Sequence, residues 1–282
     1  AEILKAFILK HPELEEKIKK LVSAGKIEIA GGQLSIPDSN MVSGESIVRN
    51  FLLGLNYYEK EFNLRPKIAW LMDAFGMSAQ LPQILKGLGF IYLYPARMPG
   101  INDNSCDYKK GFLWEGLGGY RIITASNRAD VQTSTHVCNL PVVYSIDERM
   151  ETTLTEMDEL PAGSFAMYTT EEELINEMIF EKVEETNKKI NKKIIFSIPS
   201  DYYGSLNEKE LPVIQGEFNP EFSGCYTTMI ESKKNYRKAE NALLTAEKFS
   251  SISSIIKKKI YPKEKLDYLW SRISVMQFHD AI

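Results

Sequence analysis

Strand-length apolar runs alternate with stretches of helical period along most of the chain, and this alternation restricts the fold more than any other feature. Leu14, Ile18, Leu21 and Val22 recur at helical spacing before a stop at Gly25. KIEIAGG (26–32) then reads as a short strand ending in glycines. Ser43 is placed to cap a helix that carries Ile47, Phe51, Leu55 and Tyr58 on one face. KIAWLMD (67–73) is the next strand, and Ser78 is placed to cap a helix through LPQILKGLG. FIYLYPA (90–96) follows as a buried-type strand. Later strand candidates are 111–116, 120–126, 164–169 and 193–200, with a helix between the last two. Repeated strand–helix–strand units demand parallel strands covered by helices, and this many argue for closure. The expected class is α/β: a parallel (β/α) barrel of the seven-stranded type over 1–223. A helical bundle segment over 224–282 follows, where no strand signal remains. The least regular stretch, 102–161, reads as long βα loops, where barrel enzymes put specificity.

Charge narrows the function classes. The chain has 282 residues and a net charge of −4, with its lysines interleaved with acids. Such runs mark solvated helix faces, so no nucleic-acid partner is expected. No run of eighteen apolar residues occurs, so no membrane span is expected. Cys106, Cys138 and Cys225 form no CxxC pair and cannot all pair with one another, which suits a reducing compartment. The opening ILKAFILKHPELEEK is already helical and carries no leader pattern, so the chain reads as part of a longer protein.

Asp73 closes an apolar strand and precedes Ala-Phe-Gly. Parallel barrels place their active sites at the C-terminal ends of strands, so a carboxylate there can face a pocket. From chain position alone it reads better as a strand-end acid capping the next helix.

Four blocks add specificity. WLMDAFGMSAQLPQILKGLGF resembles the WxxDxFGxSxxLPQ signature of glycoside hydrolase family 38, the α-mannosidases. KIEIAGGQLSIPDSNMVSGESIVRNFLLG, PVIQGEFNPEFSGCYTTMIESKKNYRKAEN and QFHDAI resemble further family segments, in the family's order. The resemblance implies a retaining α-mannosidase acting on mannose-containing carbohydrate. It implies one zinc ion, with Asp73 both ligand and covalent nucleophile and His279 a second ligand. These two stand 206 residues apart, so no local spacing reveals the pair. The remaining ligands belong to an HxHxD segment that does not occur in this sequence and is expected upstream of residue 1. The resemblance also implies that Asp280 binds sugar hydroxyls; its alternative role is orienting His279. Phe75 would offer the sugar an apolar face, or pack in the core. Arg97 would reach the pocket, or form an ordinary salt bridge.

The chemistry requires a carboxylate near the anomeric carbon and a second carboxyl acting as acid and then base, ~5–5.5 Å away. That second group has no motif here. Ser164 lies near the family's Asp position and is no acid at neutral pH; Asp147, Asp158 and Glu159 are the other candidates. His136 reads as a surface residue, His11 as a helix-start residue, and Asp38 as a turn residue holding the sheet edge. NPEFSGCYTT resembles the cytosolic and bacterial branch of the family, which points to the cytoplasm. A homo-oligomer is left open. Two other readings stay in view: a zinc-dependent polysaccharide deacetylase on a similar barrel, and a catalytically degenerate carbohydrate-binding relative.

Overall fold

The computed structural model describes residues 1–95, 111–125, 177–218 and 222–282. Within them five strands form one sheet: β1 (Ile68–Leu71), β2 (Tyr92–Pro95), β3 (Phe112–Glu115), β4 (Arg121–Thr124) and β5 (Val213–Gln215), in the order β1-β2-β4-β3-β5. The helices are α1 (Glu2–Lys10), α2 (Glu15–Ser23), α3 (Gly44–Phe62), α4 (Leu81–Gly87), α5 (Ile179–Asn187), α6 (Pro199–Ser205), α7 (Ile230–Lys257) and α8 (Lys263–Val275).

The class is α/β with a helical segment behind it, as expected. The sheet of the described residues is mixed rather than wholly parallel. β1 runs parallel to β2, β2 to β4, and β3 to β5, but β3 and β4 are antiparallel with Phe112 opposite Thr124. The connection explains this. Only Gly116 to Tyr120 separate the two strands, and a parallel return needs a crossover of about a dozen residues. Gly118 and Gly119 turn the chain at φ 78° and 77°, a region closed to most side chains.

Two expected strands are absent. In 26–32, Gly31 and Gly32 adopt φ 98° and 76°, and the segment's tie to the sheet is one bond, from Gly31 N to Ile68 O at 2.8 Å. In 193–200, the side chain of Asn187 takes both backbone groups of Ile194, at 2.7 and 2.9 Å. Ile194 therefore offers a ladder neither backbone group, and Pro199 then opens α6. The candidate strand 164–169 lies outside the described residues.

Alternation divides the sheet cleanly. Ile68, Tyr94, Leu113 and Ile123 pack with Tyr203 of α6 on one face. Ala69, Leu71, Leu93, Phe112, Trp114 and Ile122 pack on the other, against α3 and α4. The same second cluster continues into Tyr236 and Leu243 of α7 and Leu266, Trp270 and Ile273 of α8. The helical segment therefore shares one core with the sheet layer.

Polar clasps fix that junction. Ser43 caps α3, its Oγ accepting from Ser46 N at 3.3 Å. Its own N–H and Oγ–H donate to Glu240 of α7 at 3.1 and 2.7 Å, and Arg237 pairs with the same fully buried carboxylate. Arg49 of α3 reaches Glu247 at 2.8 Å and lies 4.3 Å from the ring centre of Trp270.

Candidate active site

Asp73 stands two residues past the end of β1, in a backbone conformation with φ 67°. A non-glycine residue there costs of order 1–3 kcal/mol, and aspartate tolerates it better than bulkier residues. The loop that follows is pinned on two sides. Met77 and Phe218 exchange backbone hydrogen bonds of 2.7 and 3.0 Å. Ser39 Oγ donates to Gly76 O at 3.3 Å and accepts from Ser78 N at 2.9 Å. The strained residue is thus held from neighbouring segments, which is how such conformations persist.

His279 arrives from the other end of the chain. α8 stops at Val275, and the next turn lies against residues 36–37: His279 N donates to Ile36 O at 3.1 Å, and Phe278 bridges Pro37. This brings His279 Nε2 to 3.3 Å from Asp73 Oδ2. Asp280 Oδ2 lies 3.6 Å from the same nitrogen. One ligand atom from each of the three residues fits within a span of 4.8 Å. The imidazole is buried, whereas the Asp280 carboxylate is largely exposed. An imidazole nitrogen and carboxylate oxygens gathered at this spacing form a donor set that suits a divalent transition metal.

Phe75 lies edge-on to His279, with centroids 5.7 Å apart, and to Phe222 at 5.4 Å. It is half-buried, so the ring that was expected to meet sugar also walls the imidazole. Arg97 lies outside the described residues, as do Ser164, Asp147, Asp158, Glu159 and His136. His11 caps a short 3-10 turn at the surface and pairs with Glu13 at 3.4 Å.

Asp38 is more than a turn residue. It makes the expected turn, its Oδ1 accepting from Asn40 N at 2.9 Å. It is also only 2% exposed, and burial pushes its carboxyl up from the ordinary range. The Tyr226 hydroxyl sits beside it, pushed up to about 12, first by burial and then by the Asp38 charge. Asp38 Oδ2, Tyr226 Oη and His279 Nδ1 are all buried without a well-aligned hydrogen-bond partner among the described residues. The PD pair in the sequence shows the turn; nothing local shows that His279 folds back onto it.

A strained strand-end acid meeting an imidazole from a helical segment defines an α/β enzyme domain with a metal-capable centre. The comparisons make this specific. The family model for the glycosyl hydrolases family 38 N-terminal domain matches residues 1–224, and that for the alpha mannosidase middle domain matches 221–282. The chain belongs to glycosyl hydrolase family 38. Among curated relatives, alpha-mannosidase G of Dictyostelium discoideum is 29% identical over 96% of this chain and 25% of its own length. Human alpha-mannosidase 2C1 is 28% identical over 97% of this chain and 26% of its own. The chain therefore spans about a quarter of these relatives. The crystal structure of an alpha-mannosidase from Enterococcus faecalis V583 shares the fold, with a TM-score of 0.74 at 21% identity, covering 99% of this chain and 33% of that one.

Proposed function

We propose that the whole protein hydrolyses terminal α-mannosides of oligosaccharides or glycoconjugates with retention, with Asp73 as nucleophile and a zinc ion held in part by Asp73 and His279. The observation that carries this reading is the approach of His279 Nε2 to Asp73 Oδ2, in a chain of this family. When bound, zinc supplies Lewis-acid polarisation and a template for sugar hydroxyls.

Asp73 supplies the nucleophile. One Asp73 oxygen faces the imidazole, and a carboxylate has a second oxygen with which to attack. That oxygen bonds to the anomeric carbon as the glycosidic C–O bond breaks, and the leaving oxygen takes a proton from the second carboxyl that a retaining mechanism requires. Water then attacks the same carbon, gives its proton to the conjugate base, and frees Asp73. Asp280 is assigned to the sugar hydroxyls, Phe75 to the sugar's apolar face, and Arg97 to the substrate pocket. The same reading divides the chain into a barrel over 1–223 and a helical segment over 224–282, in a cytoplasmic protein. That location rests on the NPEFSGCYTT resemblance.

A 2-fluoromannosyl substrate tests the proposal in the whole protein. The expected result is a mass increase on the peptide bearing Asp73, absent from Asp73→Asn, which also loses turnover while keeping, in excess chelator, the unfolding transition of the metal-free parent. No adduct, with acetate released from an acetylated polysaccharide, would instead support the deacetylase reading.

A further inference from the structure

Three distant segments meet at one side chain, Asn50, on the buried face of α3. It is fully buried. Its Oδ1 accepts from Leu34 N at 2.8 Å and Ser35 N at 3.2 Å. Its Nδ2 donates to Gln277 Oε1 at 2.8 Å and lies 3.3 Å from Ser274 O. Gln277 is also fully buried, and its Nε2 donates back to Ser46 O at 3.3 Å. Ser35 Oγ closes the circuit on Ser274 O at 2.6 Å.

This circuit lies on both sides of the turn that carries His279. Residues 34–35, held by Asn50 Oδ1, lead directly into Ile36, whose carbonyl accepts from His279 N. Residues 274 and 277, held by Asn50 Nδ2, lead directly into His279 from the other direction. A group that both accepts and donates is needed, and an uncharged amide does so through separate atoms. A buried network with every member satisfied is rigid, whereas one with a member removed leaves unpaired polar groups free to rearrange.

We propose that Asn50 is a positioning residue for His279: clasped with Gln277, its amide fixes the turn that presents the imidazole to Asp73. This rests on the reading that Asp73 and His279 form a metal-binding pair.

The test uses the whole protein with Asn50→Ala and Gln277→Met, each alone and combined with His279→Ala. Zinc affinity is measured by competition with a chromophoric chelator, and fold by thermal unfolding in excess chelator. The expected loss of affinity is about 10–100-fold for each single variant, the range for residues that orient a ligand. With His279→Ala already present, neither variant should weaken binding further. Affinity within twofold of the parent in either folded single variant overturns the proposal. So does an equal loss in the His279→Ala background, which marks a role confined to stability. Should Asn50→Ala fail to fold, Gln277→Met carries the test from the opposite side. Unchanged zinc affinity in His279→Ala itself overturns the metal reading instead. Hydrogen exchange of the His279 amide in metal-free protein then decides the positioning claim: at least tenfold faster exchange in the single variants supports it, and parental protection overturns it.

Discussion

Gly54 is the position where one added methyl group should do the most damage. It sits inside α3, where alanine is ordinarily about 1 kcal/mol better than glycine. Here a Cβ would lie 2.3 Å from Gly32 O, 2.5 Å from Gln33 C and 2.8 Å from Gln33 O. All three are backbone atoms, so no side chain can swing aside. Relieving the clash moves the 32–35 segment off the helix by about 1 Å, at the upper end of the 1–3 kcal/mol that overpacking costs. That shift also stretches the bonds from Leu34 N and Ser35 N to Asn50, each worth about 1 kcal/mol. Setting these against the helix gain, Gly54→Ala should destabilise the domain by about 2–4 kcal/mol. The midpoint of its transition in scanning calorimetry should then fall by roughly 5–10 °C. Gly87→Ala is the control, since a Cβ there meets nothing within 4 Å; its transition should stay or rise slightly. The same displacement reaches the site, because Gln33 Nε2 donates to Trp70 O at 2.6 Å, three residues before Asp73. On the proposed function, mannosidase activity of the whole protein carrying Gly54→Ala, assayed well below its transition, should fall by up to about 10²-fold. A Gly54→Ala protein as stable as the parent would refute the close-approach reasoning, and full activity would refute the link to the site.

Three further outcomes follow from the same geometry. Glu240→Ala strips the partner from the Ser43 donors at a fully buried site, while the half-exposed Arg237 turns to solvent, and should cost about 1–3 kcal/mol in urea unfolding, whereas Glu240→Gln should cost less. Asp38 has a raised pKa in the folded state, so its contribution to stability is fully present below the unfolded value of about 3.9 and is lost as pH rises through the folded one. In chelator, Asp38→Asn should therefore gain stability relative to the parent as pH rises from about 4; a pH-independent difference between the two curves would contradict the burial argument. Stripping metal from the whole protein should lower its unfolding midpoint, with about 2.7 kcal/mol lost relative to free zinc at a hundred times Kd, and zinc should restore it.

The elements legible in the sequence were those whose own residues settle the question. α3 has a capping serine and a full apolar stripe, and β1 and β2 are apolar runs bounded by turn residues. The stretches 26–32 and 193–200 carry strand composition, yet pairing is decided by what the backbone groups meet. Glycines at positive φ turn the backbone in one case, and in the other the Asn187 side chain occupies both backbone groups of Ile194. β5, three residues long, is too short for periodicity to register. The site shows the same limit more sharply. Asp73 and His279 were found through ordered family blocks, because periodicity relates only neighbours in the chain. Their contact is made by a turn at the far end of α8 folding onto residues 36–37. Asn50 leaves a local mark in the sequence. Ile47, Asn50, Phe51, Gly54 and Leu55 share the buried face of α3 at helical spacing, so a polar amide stands inside an apolar stripe. Burying such a group unpaired costs about 1–3 kcal/mol, so a partner must exist elsewhere in the fold. The partner is Gln277, two residues from His279. A polar residue in an apolar stripe thus points to a long-range contact, and here that contact leads to the residue facing Asp73.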